Sequence, residues 1–293
     1  VQYGLVAHRL HRIGQDCALL QWARLCEPGL RELGLHFHAT GGAHDVLVVN
    51  GLLRDQLVSV GYGRDGGLMR LVSRIAGGVE PGTVLDGVVF FIDPVNPTSM
   101  YPETLALKRQ CIIHAKPFVA TLAGAIEWIA VELILAGKAD ALFPQARACW
   151  ELEAQTMALV AHDALKNEML AFAGDHFDTL SRFASRVATG TTGRKLNAMA
   201  WSRGWDSSRP WVTCYQSGPL GGDAQIAERV LDLQCQKVIF FEDPHVARQH
   251  EADIQLLERS VYSTAHATTC INTPAMARRW ATAAAALAAQ RSR

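Results

Sequence analysis

The chain repeats itself once, over a period of roughly half its length, and that limits its fold more than any other feature. YGLVAH (Tyr3 to His8) returns 154 residues later as MALVAH (Met157 to His162). HATGG (His38 to Gly42) returns 149 residues later as VATGT (Val187 to Thr191), and VVFFIDP (Val88 to Pro94) returns 150 residues later as VIFFEDP (Val238 to Pro244). Landmarks in one order at nearly constant spacing are the mark of a duplication. The 293 residues suit two domains better than one. The expected division is 1–150 and 151–293, with the junction in the irregular stretch GKADALFPQARACWELEAQ (137–155).

Within each copy, short apolar runs alternate with helical patterns. In the second copy the expected strands are MALVA, RVAT, WVTCYQ, KVIFFE and VYSTAH. Between them DAQIAERVL sets Ile226, Ala227, Val230 and Leu231 on one helical face, and DIQLLER does the same with Ile254 and Leu257. Near-continuous apolar strands separated by helices predict a parallel sheet covered on both faces. The expected class is α/β, as two tandem doubly wound (Rossmann-like) parallel-sheet domains. Ligands of such sheets bind beyond the carboxyl ends of the strands. PFVATLAGAIEWIAVELILA (Pro117 to Ala136) imitates a membrane span, but Glu127, Glu132, Pro117 and Gly124 interrupt it. It reads better as a buried strand followed by a core helix. The C-terminal ATAAAALAAQRSR reads as an alanine-rich helix.

Lys plus Arg and Asp plus Glu number 28 each, so no global field favours nucleic acid or a membrane surface. Any anion must be captured by a local pocket. The seven cysteines are scattered, with no CxxC pair, which argues against a disulfide framework or a zinc site and fits a reducing cytoplasm. They read as small buried hydrophobes. No basic segment followed by an apolar run precedes the first strand.

Four segments of the second copy carry chemistry: AHDALK (Ala161 to Lys166), ATGTTG (Ala188 to Gly193), SGPLGGD (Ser217 to Asp223) and FFEDPHVARQHEAD (Phe240 to Asp253). ATGTTG places hydroxyls and backbone amides between a strand and a helix, where glycine permits close approach and the helix N-terminus favours an anion. Ser217 and Gly218 open a second such loop, and Lys166 adds a positive charge. This suits one phosphate, since neither GxGxxG nor GxxxxGK[ST] is present. Taken alone, ATGTTG could equally be a tight turn with a helix cap. Asp163, Asp223, Asp243 and Asp253 lie at strand-to-helix junctions beside His162 and His250. Singly, each acid could be a cap or turn former. Converging on one rim, they could set their pKa values apart and divide the roles of base and acid.

Together, in this order and spacing, these segments resemble methylglyoxal synthase over about 130 residues. The resemblance implies the methylglyoxal-synthase-like fold and a metal-free, cofactor-free lyase that converts dihydroxyacetone phosphate into methylglyoxal and inorganic phosphate. By matching motifs it implies Asp223 as the base and His250 as the group that polarises the ketone and shuttles protons. Asp243 and Asp253 would orient His250, and His162 would help position substrate. Thr189, Thr191, Thr192, Ser217, Gly218 and Lys166 would hold the phosphate. It further implies a homo-oligomer, in which three such chains would make a pseudo-hexamer of domains. The family's arginine near the C-terminal end has no convincing counterpart after Trp280, so Arg147 is the candidate to complete the pocket, within or between chains. The other reading is a regulatory protein that keeps the fold and the phosphate loop without turnover.

The first copy departs from the pattern. Arg9 stands for Asp163, Arg12 for Lys166, and Gly42 and Ala43 for Thr191 and Thr192. Setting Gly63 on Gly218 and Gly67 on Gly222 puts Leu68 at the base position, and Met100 falls at that of His250. Asp93 persists and Glu103 replaces Asp253. A leucine removes no proton and a methionine shuttles none. This copy is expected to be a non-catalytic scaffold, with an effector site as the alternative through Arg9, Arg12 and Arg64.

Overall fold

The computed structural model describes residues 1–245 and 251–291, with side chains for all of these except 251–254 and 291. The chain divides into two compact units, Val1–Ala146 and Arg147–Arg293. In the first unit, strands β1 (Gln2–Ala7), β2 (His36–Ala39), β3 (Leu57–Ser59), β4 (Gly87–Phe91) and β5 (Phe118–Val119) form one sheet in the order β3-β2-β1-β4-β5. In the second, β6 (Thr156–Ala161), β7 (Ser185–Ala188), β8 (Thr213–Cys214), β9 (Lys237–Phe241) and β10 (Thr269–Ile271) repeat it as β8-β7-β6-β9-β10. Every pairing is parallel. Even the register is copied, Tyr3 standing opposite Gly87 and Met157 opposite Lys237.

The burial of these strands explains their composition. β4 (GVVFF) and β9 (KVIFF) are buried at every position, as strands covered on both faces must be. Each fully buried Val or Phe contributes about 1.5–3 kcal/mol. In both units the chain moves outward from the first strand and then returns to its other side. The carboxyl ends of β1/β4 and of β6/β9 are therefore switch points, where a crevice opens.

The apolar stretch from Pro117 resolves as β5 followed by the helix Leu122–Leu135, whose N-cap Thr121 accepts a hydrogen bond from the Gly124 amide at 3.0 Å. Among the described residues no helix is long and apolar enough to cross a membrane. The alanine-rich C-terminal segment, as far as Arg291, lies in the helix Pro274–Arg291.

One expected element is different. VYSTAH is not a strand: Val261 to Ser263 complete the helix Glu251–Ser263, and the last strand of the sheet is β10. Leu257 and Val261, one helical turn apart, are both buried against Val230, Val238 and Phe240. A 3.6-residue stripe of core contacts outweighs the β propensity of a short Val-Tyr run.

Cys17, Cys26, Cys111 and Cys235 are buried and Cys149 and Cys270 partly so, but Cys214 is exposed, contrary to the reading of all seven as buried hydrophobes. Burial pushes the Cys235 thiol up to about 12 and raises that of Cys111 further, so both behave as apolar packing groups.

Candidate active site

At the end of β6 the His162 amide donates to Phe241 O (3.1 Å), extending the ladder to β9 by one residue. Its ring stands edge-on to Phe240 with centroids 4.9 Å apart, and Nδ1 accepts a hydrogen bond from the Asp243 amide at 2.8 Å. A nitrogen that accepts from a backbone N–H carries no proton, so the neutral ring holds its hydrogen on Nε2. The first unit builds the same clamp. His8 lies 4.9 Å from Phe90, and its Nδ1 accepts from the Asp93 amide at 2.9 Å.

Burial holds the His8 imidazole at about 4, against an ordinary 6.5, with Asp93 only partly opposing. The unfolded chain takes up this proton below pH 6.5, while the folded ring stays neutral down to about 4. The first unit is therefore expected to lose stability as pH falls through that window, by roughly 3 kcal/mol at most, and no more below it. Urea midpoints at pH 7.5 and 4.5 test this. A His8→Asn chain with the parent's full pH slope would contradict it.

Two loops face His162 from the β7 and β8 side. Thr189 caps the helix Gly190–Ser202 in extended conformation without spending its side chain on the cap. The Gly190 amide donates to Gln216 O at 2.8 Å, and a Cβ on Gly190 would stand 2.9 Å from Tyr215 O. Glycine here lets the two loops touch. After Ser217 the chain makes a tight turn over Gly218–Leu220, closes it at Gly221 (φ 94°) and enters the helix Gly222–Leu231. Asp223 is thus the second residue of that helix. Its carboxylate sits over Gly218, where a Cβ would come within 2.8 Å of Oδ2. Further back, the buried Arg186 steadies the approach to β8, donating to Trp211 O and Phe183 O at 2.7 Å each. Burial lowers its pKa.

These elements enclose an open cleft of about 160 Å³, lined by His162, Asp163, Lys166, Thr189, Thr191, Ser217, Gly218 and Asp223, with Pro219 and Phe240. Most of the expected residues thus meet in one place. Thr192 does not: it is 1% exposed and lies behind the cleft, because the third residue of the helix turns toward the sheet. Asp243 is also absent from the lining. Its amide holds His162, and its Oδ1 accepts from the His245 amide at 2.9 Å, the behaviour of a turn former. His250 lies outside the described residues. The backbone of Asp253 belongs to the helix Glu251–Ser263, and its side chain is likewise outside. Arg147 is exposed and does not line the cleft.

Lys166 pairs closely with Asp163, whose own side chain is 93% exposed. Asp163 therefore steers the ammonium more than it faces a ligand. Arg194, not expected from the motifs, donates to Thr191 Oγ1 at 3.4 Å. The three-residue spacing of a threonine and an arginine at a helix start was the available signal. Among the described residues no group of three His, Cys, Asp or Glu side chains could hold a metal ion.

The first unit keeps the frame and changes its contents. Gly66 (φ 89°) closes the turn Gly63–Asp65 as Gly221 closes its own, so Gly67 falls on Gly222 and Leu68 on Asp223. Asp65 does not take the place of Asp223. Asp65 is on the exposed turn, 3.7 Å from the Arg64 guanidinium.

No family model matches the chain. Methylglyoxal synthase of Thermus thermophilus is 42% identical over 105 residues, which is 36% of this chain and 76% of that protein. The chain belongs to the methylglyoxal synthase family. Methylglyoxal synthase of Burkholderia cenocepacia is 41% identical over 104 residues, 36% of this chain and 73% of the relative. A crystal structure of methylglyoxal synthase from Elizabethkingia anophelis matches at 32% identity with a TM-score of 0.36, covering 44% of this chain and 78% of that one. Membership of the family supports lyase-type chemistry in general.

Proposed function

We propose that the second unit captures the phosphate of a small phosphorylated ligand in the cleft beyond β6, β7 and β8, and that the ligand is dihydroxyacetone phosphate, from which phosphate is eliminated. The observation that carries this reading is Asp223, a buried carboxylate set against Gly218 between the two anion-binding loops. Thr189, Thr191 and Ser217 offer hydroxyls there, the helix Gly190–Ser202 presents its N-terminus, and Lys166 adds a cation.

In the proposed reaction Asp223 takes a proton from the hydroxymethyl carbon beside the ketone, leaving an enediolate. Its electrons then expel phosphate from the other carbon, and the resulting enol gains a proton on its methylene carbon while its hydroxyl gives one up, which yields methylglyoxal. Elimination needs the breaking carbon–oxygen bond roughly perpendicular to the enediolate plane, and loops that fix the phosphate impose that angle. His162, with its hydrogen on Nε2, serves as a donor that positions the substrate. His250 and Asp253 are assigned to proton shuttling and its support on the resemblance alone. Assembly of three chains into a pseudo-hexamer belongs to the same proposal, and sizing in solution tests it.

A second reading has a specific observation behind it. Apart from the carboxylates of Asp163 and Asp223, the polar side chains that line the cleft (His162, Lys166, Thr189, Thr191 and Ser217) are of the kind that hold an anion, as a regulatory protein without turnover would need. Incubation with dihydroxyacetone phosphate, following methylglyoxal and phosphate together, separates the two. Equimolar release supports the lyase; binding without release supports the regulator. Lys166→Met is expected to weaken inorganic phosphate binding roughly ten- to hundredfold, the value of a charge-assisted hydrogen bond. Unchanged binding in a calorimetric titration would place the phosphate elsewhere.

A further inference from the structure

The first unit contains the same crevice, filled by its own side chains. Tyr62 has the backbone of Ser217, φ −67° and ψ 151° against −65° and 152°, so the two residues present their side chains from equivalent points. Ser217 offers a hydroxyl to an open cleft, whereas the Tyr62 ring lies across Gly41. A Cβ on Gly41 would stand 2.7 Å from Tyr62 Cδ1. The Tyr62 hydroxyl donates to Asp45 Oδ2 at 2.5 Å. Asp45 occupies the helix position that Arg194 holds in the second copy, a reversal of charge. Arg12, in the place of Lys166, folds onto the same turn, its Nη1 2.5 Å from where a Gly42 Cβ would be. The hydrogen on His8 Nε2 goes to Thr98 Oγ1 at 3.2 Å.

The parts that would attract an anion persist underneath. The helix Gly41–Val49 still points its N-terminus there, Arg12 still supplies a cation, and Thr40 is 5% exposed yet makes no capping bond with its side chain. Its counterpart Thr189 lines the open cleft.

We propose that the first unit holds a phosphate-type anion site closed from within, with the Tyr62–Asp45 pair locking the place where the second unit takes its ligand. The proposal rests on reading the second unit's cleft as a phosphate site. A carboxylate already attached to the helix loses no translational freedom on docking, so it outcompetes a free anion. It also repels one, and the ring above Gly41 blocks the approach. The intact chain therefore takes one phosphate, and two residues decide why it is not two.

The test is equilibrium dialysis of the full chain against inorganic phosphate. The expected result is one phosphate per parent chain and two per Tyr62→Ser/Asp45→Asn chain. In the parent, hydrogen exchange at saturating phosphate should slow at residues 189–193 and stay unchanged at 40–44. That measurement needs no variant and still decides the matter if the double variant does not fold. Two phosphates on the parent, slowed exchange at 40–44, or a folded double variant that stays at one would each overturn the proposal. A parent that binds none while the double variant gains one would sink only the reading of the second unit.

Discussion

An Asp223→Asn chain is expected to form methylglyoxal about a thousandfold more slowly than the parent while binding inorganic phosphate at least as tightly. Asparagine keeps the shape of the side chain over Gly218 but cannot accept a proton, and a positioned general base is worth about 10²–10⁴ in rate. Removing a negative charge from a pocket that must accept a phosphate also lowers repulsion, so affinity should not fall. The split between lost turnover and kept binding is the informative result, because a chain that merely failed to fold would lose both. Equal rates in parent and variant would remove Asp223 from the chemistry.

The largest expected effect on stability is at Gly222. A Cβ there would sit 2.0 Å from Gln216 O and 2.8 Å from the Gln216 carbonyl carbon, both backbone atoms with no rotamer to escape into. Alanine must therefore push the loop 215–217 away from the helix Gly222–Leu231. The expected loss is about 3 kcal/mol or more, at the upper end for overpacking. The loop carries Ser217, so phosphate binding should fall too. Gly67→Ala, with a Cβ 2.3 Å from Gly61 O, should damage the first unit in the same way. Gly204→Ala is the control: its φ is 90° but nothing lies within 4 Å, so the loss should stay near 1 kcal/mol. Urea denaturation of the three variants measures this, and a Gly222→Ala chain as stable as the parent would show that the loop yields easily.

The site was legible to the extent that its residues are consecutive in sequence. ATGTTG and SGPLGGD are local loops whose glycines and hydroxyls predict a close approach of backbone segments, and the structure brings Thr189, Thr191, Ser217, Gly218 and Asp223 to one cleft. The misplacements have a common cause. Thr192 looks like its neighbours in the motif, but helix periodicity turns every third or fourth residue inward, and the third position of this helix meets the core. Asp243 carries a carboxylate in the right motif, yet what it gives the site is its amide, which no side-chain pattern reveals. VYSTAH has strand composition, and only the buried stripe through Leu257 and Val261 shows that it continues a helix.

Sequence alone determined the duplication, the parallel-sheet class and the absence of a carboxylate in the first copy at the position of Asp223, because these depend on periodicity and on the presence or absence of single functional groups. Tertiary structure alone decided that Tyr62, Asp45 and Arg12 come together over one helix N-terminus, and that His8 and His162 are clamped alike by a backbone amide. Those residues are separated by 17 to 85 positions in the chain, and no local pattern encodes them. They meet because parallel strands deliver their carboxyl ends to the same edge of the sheet.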